Sequence, residues 1–380
     1  MAPAVPFLLT PGPLTTTDET KRAMLRDWGS RDTDFIALNK WVRERLVALV
    51  EGQGTHVAVP MQGSGTFAVE AMLGTFVPRD GKLLIAVNGA YGRRMAQMCK
   101  YYGRAHAVYE TAEDTPPDPA EVDARLAKDS AITHVAVVHC ETTSGILNPI
   151  AEIGAVVARR GRRFLIDAMS AFGALPLDAR TLQFDAVAAS ANKCLEGVPG
   201  VGFVVARKEA LEACEGNAAS LSLDLYDQWR SMERNGQWRF TPPTHVIAAF
   251  ARAMEQHEAE GGVAGRGGRY RRNCRILIEG LRALGFETLL PDRLQAPIIV
   301  TVRTPADPRF DFERFYDRLR EKGYVIYPGK LTVADTFRIG CIGALGEAEM
   351  RGALAPIRAT LDEFGVKQRG PAAPARAASA

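Results

Sequence analysis

Groups able to do chemistry follow apolar, strand-like runs at separate points along the chain. The run "HVAVPM" is followed by "QGSGT", where Ser64, Gly65 and Thr66 lead into a helical pattern. "RFLI" is followed by Asp167, and "FDAVAAS" is followed three positions later by Lys193. Because ligands bind beyond the carboxyl ends of parallel strands, we expect these residues to meet at one edge of a sheet.

Each of these features has an ordinary structural explanation when it is taken alone. The "QGSGT" stretch could be a tight strand-to-helix connection, and Asp167 could be a helix cap or a buried, hydrogen-bonded acid. Lys193 could be a surface charge whose stem covers apolar residues. Tyr91, in "NGAYGRR", could stack on a flat ligand or pack at a helix start. The polar run His139 to Ser144, in "THVAVVHCETTSG", could be a turn.

Taken together, the same features predict a cofactor site. Free N–H groups at a helix start bind phosphate, and a buried carboxylate can hold a proton on a heterocyclic nitrogen through close pairing. A lysine removed from water, near other cations, loses proton affinity and can form a Schiff base with an aldehyde. This combination predicts a site for pyridoxal 5'-phosphate.

The elements that would position these groups alternate between strand and helix. Helical patterns separate most of the strand-like runs, which are "KLLIAVNG", "AHAVYE", "THVAVVHCE", "RFLIDAM", "FDAVAAS" and "GVGFVVAR". Near-continuous runs of Val, Ile and Ala between helices indicate a mainly parallel sheet that is covered on both faces. The predicted fold class is therefore α/β.

The chain of 380 residues is long enough for two domains. We expect an N-terminal segment over residues 1–16, a large cofactor-binding α/β domain over 17–248 and a smaller α+β domain over 249–365. Residues 366–380, rich in Ala and Pro, are expected to be a disordered tail.

Charge and composition argue against several kinds of partner. The net charge of +3 is matched by three basic residues in the tail, so the body is close to neutral and shows no general attraction to nucleic acid or anionic membrane. The basic runs "GRYRRNCR" (268–275) and "ARRGRR" (158–163) are interpreted as solvated helical faces. No apolar run approaches the roughly 18 residues of a membrane span. The scattered cysteines predict neither disulfides nor a metal site, so we expect a cytoplasmic protein.

The chain resembles the class V aminotransferases of fold type I over about residues 8–365. The matching stretches are "LLTPGPLTT", "MQGSGTFAVEAMLG", "NGAYGRRM", "HCETTSGILNPI", "IDAMSAFG", "SANKCLEGVPG", "SLSLDLYDQWR", "WRFTPPTH", "VIYPGK" and "FRIGCIG". The resemblance implies a pyridoxal-phosphate-dependent transaminase that forms a homodimer with active sites at the subunit interface.

Two of these stretches bear on the substrates. "SANKCLEGVPG" and "SLSLDLYDQW" are similar to the family members that move the amino group of 2-aminoethylphosphonate to pyruvate in phosphonate catabolism, giving phosphonoacetaldehyde and L-alanine. An alternative within the family is alanine or serine as donor with glyoxylate as acceptor. A third interpretation is a binding or regulatory protein that has lost catalysis, against which the intact Lys193 and Asp167 argue.

The resemblance also implies roles for individual residues. Lys193 would be the Schiff-base lysine, Asp167 the partner of the pyridine nitrogen, Tyr91 the stacking ring, and Thr142 a contact near the phenolic oxygen. Departures around "WGSRDTDF" leave open whether Arg31 helps to bind the phosphonate. The further positions that it implies are Ser64, Gly65, Thr66 and Asn192 at the phosphate, Trp238 and Thr241 from the neighbouring subunit, and Arg338 and Gly12 in the substrate pocket.

Overall fold

Strands and helices alternate along most of the chain in this computed structural model, which describes residues 5–330 and 334–371. The strands are β1 (Phe7–Leu8), β2 (His56–Gln62), β3 (Lys82–Val87), β4 (Ala105–Glu110), β5 (Ile132–Val138), β6 (Cys140–Glu141), β7 (Ile146–Leu147), β8 (Arg163–Asp167), β9 (Ala186–Ser190), β10 (Val201–Arg207), β11 (Ile299–Arg303), β12 (Tyr324–Val325), β13 (Tyr327–Pro328) and β14 (Thr336–Gly340). The helices are α1 (Asp18–Arg22), α2 (Thr33–Ala48), α3 (Gly65–Phe76), α4 (Ala90–Tyr101), α5 (Pro119–Lys128), α6 (Ile150–Arg159), α7 (Lys208–Glu212), α8 (Leu225–Asn235), α9 (Thr244–Ala259), α10 (Gly262–Ala283), α11 (Phe312–Glu321) and α12 (Glu347–Glu363), with 3-10 turns at Ala23–Leu25 and Asp292–Leu294.

The largest sheet has seven strands in the order β2-β10-β9-β8-β5-β3-β4. All neighbours are parallel except at β10, which is antiparallel to both β2 and β9. Alternate residues of β3 enter two separate apolar cores, with Leu84 and Ala86 in one and Leu83, Ile85 and Val87 in the other. Because successive side chains of a strand point to opposite faces, the sheet is covered on both sides. The predicted α/β class is confirmed.

The register brings the predicted site residues to one edge of this sheet. Strands β5 and β8 pair with Val138 opposite Asp167, and β8 and β9 pair with Asp167 opposite Ala188. The antiparallel β10 starts at the same edge, where Val201 pairs with Gln62 at the end of β2. The carboxyl ends of the parallel strands, and the turns that follow them, therefore lie side by side.

A second, antiparallel sheet with the order β11-β14-β13 forms further along the chain. It packs with α10, α11 and α12 around a third apolar core that includes Phe315, Phe337 and Leu361. The N-terminal β1 joins this region, because Phe7 pairs with Tyr324 in a parallel bridge to β12. The N-terminal segment is thereby fixed close to the second sheet.

Helix α10 contributes to both parts of the molecule. Tyr270, in its first half, belongs to a core of the large sheet, whereas Leu277 and Leu281 belong to the core of the smaller sheet. The predicted domain border at 248/249 falls within α9, which packs against α2. The division into two domains stays a prediction.

The interpretation of "GRYRRNCR" as a solvated face is wrong for three of its eight residues. Tyr270, Asn273 and Cys274 are buried in α10, while Arg271 and Arg272 are exposed. The reason is that distant segments cover this side of α10: the turn that carries Lys193 contacts Tyr270, and the carbonyls of Cys341 and Leu345 accept hydrogen bonds from Asn273. The other basic run, 158–163, is mostly exposed as predicted.

The first residues of the predicted disordered tail are held by contacts. Val366 is buried, and the backbone N–H groups of Lys367 and Gln368 donate to the Asp307 carboxylate at 2.8 and 3.2 Å. The expectation of disorder from residue 366 is therefore wrong for this part, and residues 372–380 lie outside the described residues. Within the described ranges, no helix is long and apolar enough to cross a membrane.

Candidate active site

Lys193 lies in the turn after β9 and contacts the N-terminal segment. Its Nζ donates a hydrogen bond to the carbonyl oxygen of Pro11 at 2.6 Å. Gly12 has φ +117°, and a Cβ at this position would lie 2.6 Å from the lysine Nζ, so glycine is needed for the close approach. Burial lowers the pKa of Lys193, although the nearby Tyr91 partly opposes this effect. The lysine is thus enclosed and more easily deprotonated than a surface lysine.

Asp167 is the last residue of β8 and is only 4% exposed. Its Oδ1 accepts a hydrogen bond from the backbone N–H of Met169 at 2.9 Å. Burial raises the pKa of the carboxyl to about 6, and the buried Glu141 adds to the increase. A carboxylate that is costly to ionise in this position gains most from pairing with a protonated nitrogen.

The start of α3 faces the same cavity as Asp167. Ser64 is the N-cap residue, and its hydroxyl makes no capping hydrogen bond to the helix. The Thr66 hydroxyl accepts a hydrogen bond from Arg94 Nη1 at 3.2 Å. A Cβ on Gly65 would clash with the Met169 sulfur. The helix start, with unpaired N–H groups and a nearby guanidinium, is suited to hold an anion.

Tyr91 stands at the beginning of α4, and a buried acid fixes it there. The backbone N–H groups of Tyr91 and Gly92 donate to Glu141 Oε2 at 3.2 and 3.4 Å. Thr143 completes the cap, because its hydroxyl accepts from Ala90 N–H at 2.9 Å and donates to Glu141 Oε1 at 2.6 Å. Burial raises the pKa of Glu141. The sequence showed Glu141 within a polar run but gave it no role.

Arg338 enters the region from β14 as a buried cation. Its Nε donates to the Pro328 carbonyl and its Nη1 to the Thr142 carbonyl, both at 3.0 Å. No carboxylate among residues 5–330 and 334–371 forms an ion pair with it. Burial lowers its pKa, partly opposed by Tyr91. Its charge is therefore not neutralised locally, which is the condition for binding an anionic substrate group.

A buried ionic cluster lies behind Lys193, on the first half of α10. Arg266 Nη1 donates to the carbonyl of Cys194 at 2.5 Å, and the Tyr270 hydroxyl donates to Glu196 Oε1 at 2.5 Å. Arg269 Nη2 also donates to Glu196 Oε1, at 2.8 Å. The cluster therefore holds the turn that carries Lys193 by both a backbone carbonyl and a side chain.

The same cluster reaches the segment that follows Arg338 in the chain. Arg269 Nη1 donates to the carbonyls of Gly343 and Leu345 at 2.5 and 2.8 Å. Glu260 forms ion pairs with Arg266 and Arg269 through contacts of 2.6 and 2.7 Å, and Glu196 supplies the second negative charge. Sequence reasoning missed this arrangement, for which the one signal was a tyrosine within a basic run.

Trp238 and Thr241 do not line the Asp167 cavity within one chain. Both border a separate surface hollow of about 560 Å³, next to Phe67 and Phe240. The two phenylalanines are 48% and 51% exposed. Trp238 is oriented by a hydrogen bond from its Nε1 to Asn39 Oδ1 at 3.0 Å. The structure thus brings Gly12 and Lys193 together, and Thr142 together with Tyr91 and Arg338. Gly65, Thr66, Tyr91 and Asp167 line one cavity, Ser64 precedes Gly65 in the chain, and Asn192 precedes Lys193. Trp238 and Thr241 lie apart from this group.

The donor set fits pyridoxal phosphate. The lysine is half-buried, with a lowered pKa, and Asp167 is a buried carboxyl with a raised pKa at the neighbouring strand end. Tyr91, Arg94 and Thr66 line the cavity that Asp167 also lines. These are the groups needed to hold an aldehyde, a protonated ring nitrogen, an aromatic ring and a phosphate.

Comparison with known proteins agrees with this chemistry. The family model for class-V aminotransferases matches residues 21–320. A protein of Burkholderia lata named 2-aminoethylphosphonate–pyruvate transaminase 2 is 58% identical over 365 residues, covering 96% of this chain and 97% of that protein. A 2-aminoethylphosphonate–pyruvate transaminase of Pseudomonas putida is 55% identical over 361 residues, covering 95% and 98%.

Solved structures share the fold at lower identity. Pyridoxamine–pyruvate aminotransferase from Mesorhizobium loti has a TM-score of 0.88 at 24% identity, covering 96% of this chain and 94% of that one. Ureidoglycine–glyoxylate aminotransferase from Bacillus subtilis also has a TM-score of 0.88, at 23% identity, covering 97% and 96%. The expected fold type I is confirmed. The chain belongs to the class-V aminotransferase family and is a pyridoxal-phosphate-dependent transaminase.

Proposed function

We propose that this transaminase moves the amino group of 2-aminoethylphosphonate to pyruvate, giving phosphonoacetaldehyde and L-alanine. The observation that carries the proposal is the 58% identity, over almost the whole length of both chains, to a protein named for these two substrates. The buried Arg338, which lacks a carboxylate partner among the described residues, supports it because both substrates carry an acidic group.

The cofactor would be held by groups from several strand ends. When bound, pyridoxal phosphate supplies an aldehyde that links to amines and a ring that accepts electrons. We propose that Asp167 keeps the ring nitrogen protonated, that Tyr91 stacks on the ring, and that Thr142 contacts the phenolic oxygen. The phosphate would bind at the start of α3 and the adjacent turn, through Ser64, Gly65, Thr66 and Asn192.

Lys193 would carry the cofactor and move the proton. Its lowered pKa leaves more of the amine neutral near physiological pH, and a neutral amine can take a proton from the carbon that bears the substrate nitrogen. Arg338 would bind the phosphonate in one half-reaction and the carboxylate in the other, because a guanidinium can form paired hydrogen bonds with either group. One site can then serve both substrates in turn.

A homodimer would complete the site. We propose that Trp238 and Thr241 reach the cofactor phosphate of the neighbouring subunit, which accounts for their distance from the Asp167 cavity in a single chain. The exposed Phe67 and Phe240 beside them support a contact surface there. Gly12 would line the substrate pocket through its contact with Lys193.

The six buried, unpaired cysteines support a cytoplasmic location.

A donor panel tests the substrate assignment. The purified holoenzyme is incubated with pyruvate and 2-aminoethylphosphonate, and in parallel with glyoxylate and L-alanine or L-serine, while product formation is measured. We expect the highest kcat/KM for 2-aminoethylphosphonate with pyruvate. Faster transfer from L-alanine or L-serine to glyoxylate would favour the alternative in this family.

A further inference from the structure

We infer that Lys330 is a second cation of the substrate site, placed to bind the phosphonate group and to select phosphonate donors over carboxylate donors. The inference rests on the proposed function and deepens it. Lys330 lies outside the set of residues whose roles the sequence implied.

The strand pairing places the segment that leads to Lys330 beside Arg338. Strand β13 pairs with β14 so that Tyr327 is opposite Arg338, and Lys330 follows β13 after one intervening residue. Arg338 Nε donates to the Pro328 carbonyl at 3.0 Å, which fixes the two segments together. Arg338 therefore lies on β14, and Lys330 lies just beyond the end of the neighbouring strand β13.

The side chain of Lys330 reaches the aromatic ring of Tyr91. Its Nζ lies 4.3 Å from the centre of the Tyr91 ring, at the start of α4. Burial by itself raises the pKa of the Tyr91 hydroxyl, but the charges of Lys330 and Lys193, together with hydrogen bonds to Thr142 and Lys330, lower it overall. The ammonium group of Lys330 thus acts electrostatically at the place where the predicted stacking ring lies.

Neither cation is neutralised by a nearby acid. In the described part of the chain, neither Lys330 nor Arg338 forms an ion pair with a carboxylate. The buried acid in this region, Glu141, already accepts four hydrogen bonds, from the N–H groups of Tyr91, Gly92 and Thr143 and from the Thr143 hydroxyl. Burial also raises the pKa of Glu141.

Two cations discriminate between the two kinds of acidic group. A phosphonate, like a phosphoryl group, carries more than one negative charge at neutral pH and has three acceptor oxygens, whereas a carboxylate carries one charge and two oxygens. The planar guanidinium of Arg338 can satisfy either group. A second ammonium adds more attraction for the phosphonate than for the carboxylate, because the phosphonate keeps a third oxygen and additional negative charge when two of its oxygens bind Arg338.

The test compares two donors in the half-reaction without an acceptor. The Lys330→Met holoenzyme is mixed with 2-aminoethylphosphonate or with L-alanine, and kcat/KM is measured from the change in cofactor absorbance. We expect a loss of about 10- to 100-fold for the phosphonate and less than about 3-fold for L-alanine, as for removal of one charge-assisted contact. Lys330→Arg should recover part of the loss, and Lys40→Met, at an exposed site on α2, should match the wild type.

A binding measurement without turnover gives the second readout. Ethylphosphonate and propionate, which lack an amino group, are titrated into wild-type and Lys330→Met holoenzyme by calorimetry. Weaker binding of ethylphosphonate alone supports the inference, while equal losses for both anions, or no loss, overturn it. A wild-type enzyme that ignores 2-aminoethylphosphonate would refute the proposed function, and the anion titration would still decide the role of Lys330.

Discussion

Arg266 Nη1 lies 2.5 Å from the carbonyl oxygen of Cys194, the residue that follows Lys193 in the chain. The arginine is 1% exposed, so this hydrogen bond is shielded from water. Glu196, two residues further on, has φ +56°, a conformation that is costly for a residue with a side chain. The ionic cluster on α10 therefore maintains a strained turn next to the lysine.

Tyr270→Phe tests this cluster. The change removes the hydroxyl that donates to Glu196 and leaves the ring in place, so we expect a loss of about 1–2 kcal/mol in the free energy of unfolding. Because the turn positions Lys193, we also expect a lower kcat and a shifted pH dependence of the cofactor absorbance. Tyr101→Phe, at an exposed residue of α4, is the matched control. Unchanged absorbance and kcat in Tyr270→Phe would assign the cluster to stability alone.

Lys193→Ala should remove both covalent attachment of the cofactor and proton transfer. We expect turnover to fall by at least about 10²–10⁴-fold, with loss of the visible absorbance of the lysine-bound cofactor. Absorption spectra and single-turnover assays with 2-aminoethylphosphonate measure the two effects. Lys208→Ala, an exposed residue at the start of α7, should behave like the wild type. Normal turnover in Lys193→Ala would show that another residue carries the cofactor.

Arg338→Lys keeps the positive charge but loses the paired geometry of the guanidinium. We expect the KM for both the phosphonate and pyruvate to rise, by about 10-fold or more, because each acidic group loses one of two parallel hydrogen bonds. The cofactor should remain bound, as judged by its absorbance. A variant that loses cofactor while its substrate KM stays constant would show that Arg338 has been assigned to the wrong group.

The raised pKa of Asp167 predicts that the stability of the cofactor-free enzyme depends on pH. Burial raises its pKa to about 6, compared with an ordinary value of about 3.9 for an unfolded chain. Between these two values the Asp167 carboxyl therefore keeps its proton in the folded state and releases it in the unfolded state. Its contribution to the free energy of unfolding is complete below about pH 4 and is lost as the pH rises through 6. Relative to Asp167→Asn, which does not titrate, the wild type should lose about 3 kcal/mol in the free energy of unfolding over this pH range.

Urea unfolding of cofactor-free wild type and Asp167→Asn at pH 4.5, 5.5 and 7 measures this difference. Comparing the two proteins at each pH cancels the titration of the other groups. Bound cofactor should abolish the effect, because a protonated ring nitrogen stabilises the ionised carboxylate. A constant difference across the three pH values would mean that Asp167 is ionised throughout.

The proposed contribution of Thr241 across subunits can be tested by mixing variants. Chains with Lys193→Ala and chains with Thr241→Ala are each of low activity, but a mixed dimer contains one site with both native residues. We expect co-refolded chains to exceed the summed activity of the two separate variants. Ser220→Ala, in the same hollow, should not complement in this way. An absence of recovery in verified mixed dimers would place Thr241 at the site of its own chain, or at none.

The sequence predicted those parts of the site that depend on where strands end. Asp167 and Lys193 could be placed because apolar runs marked β8 and β9, and parallel strands bring their carboxyl ends to one edge. The α/β class followed from the same runs, and β4 has the bounds that were predicted.

The parts that could not be predicted depend on contacts between distant segments. Glu141 caps α4 from 50 residues further along the chain, and Arg266 meets Cys194 across 72 residues. Hydrophobic periodicity reports which face of a helix is apolar, and the basic run 268–275 of α10 was therefore interpreted as a solvated face, while Arg266 was given no role. Buried arginine is uncommon because its charge must be paired, and the pairing acids lie on other segments.

The contacts made by helix α10 bear on which amino donors can react. It is bonded both to the turn that carries Lys193 and, through Arg269, to the segment that follows β14 and Arg338. The gap between the lysine and the arginine is therefore set by one rigid element and not by flexible loops. With the roles proposed for Lys193 and Arg338, such a fixed gap would limit how far the acidic group of a substrate can lie from its amino-bearing carbon, to about the range between L-alanine and 2-aminoethylphosphonate.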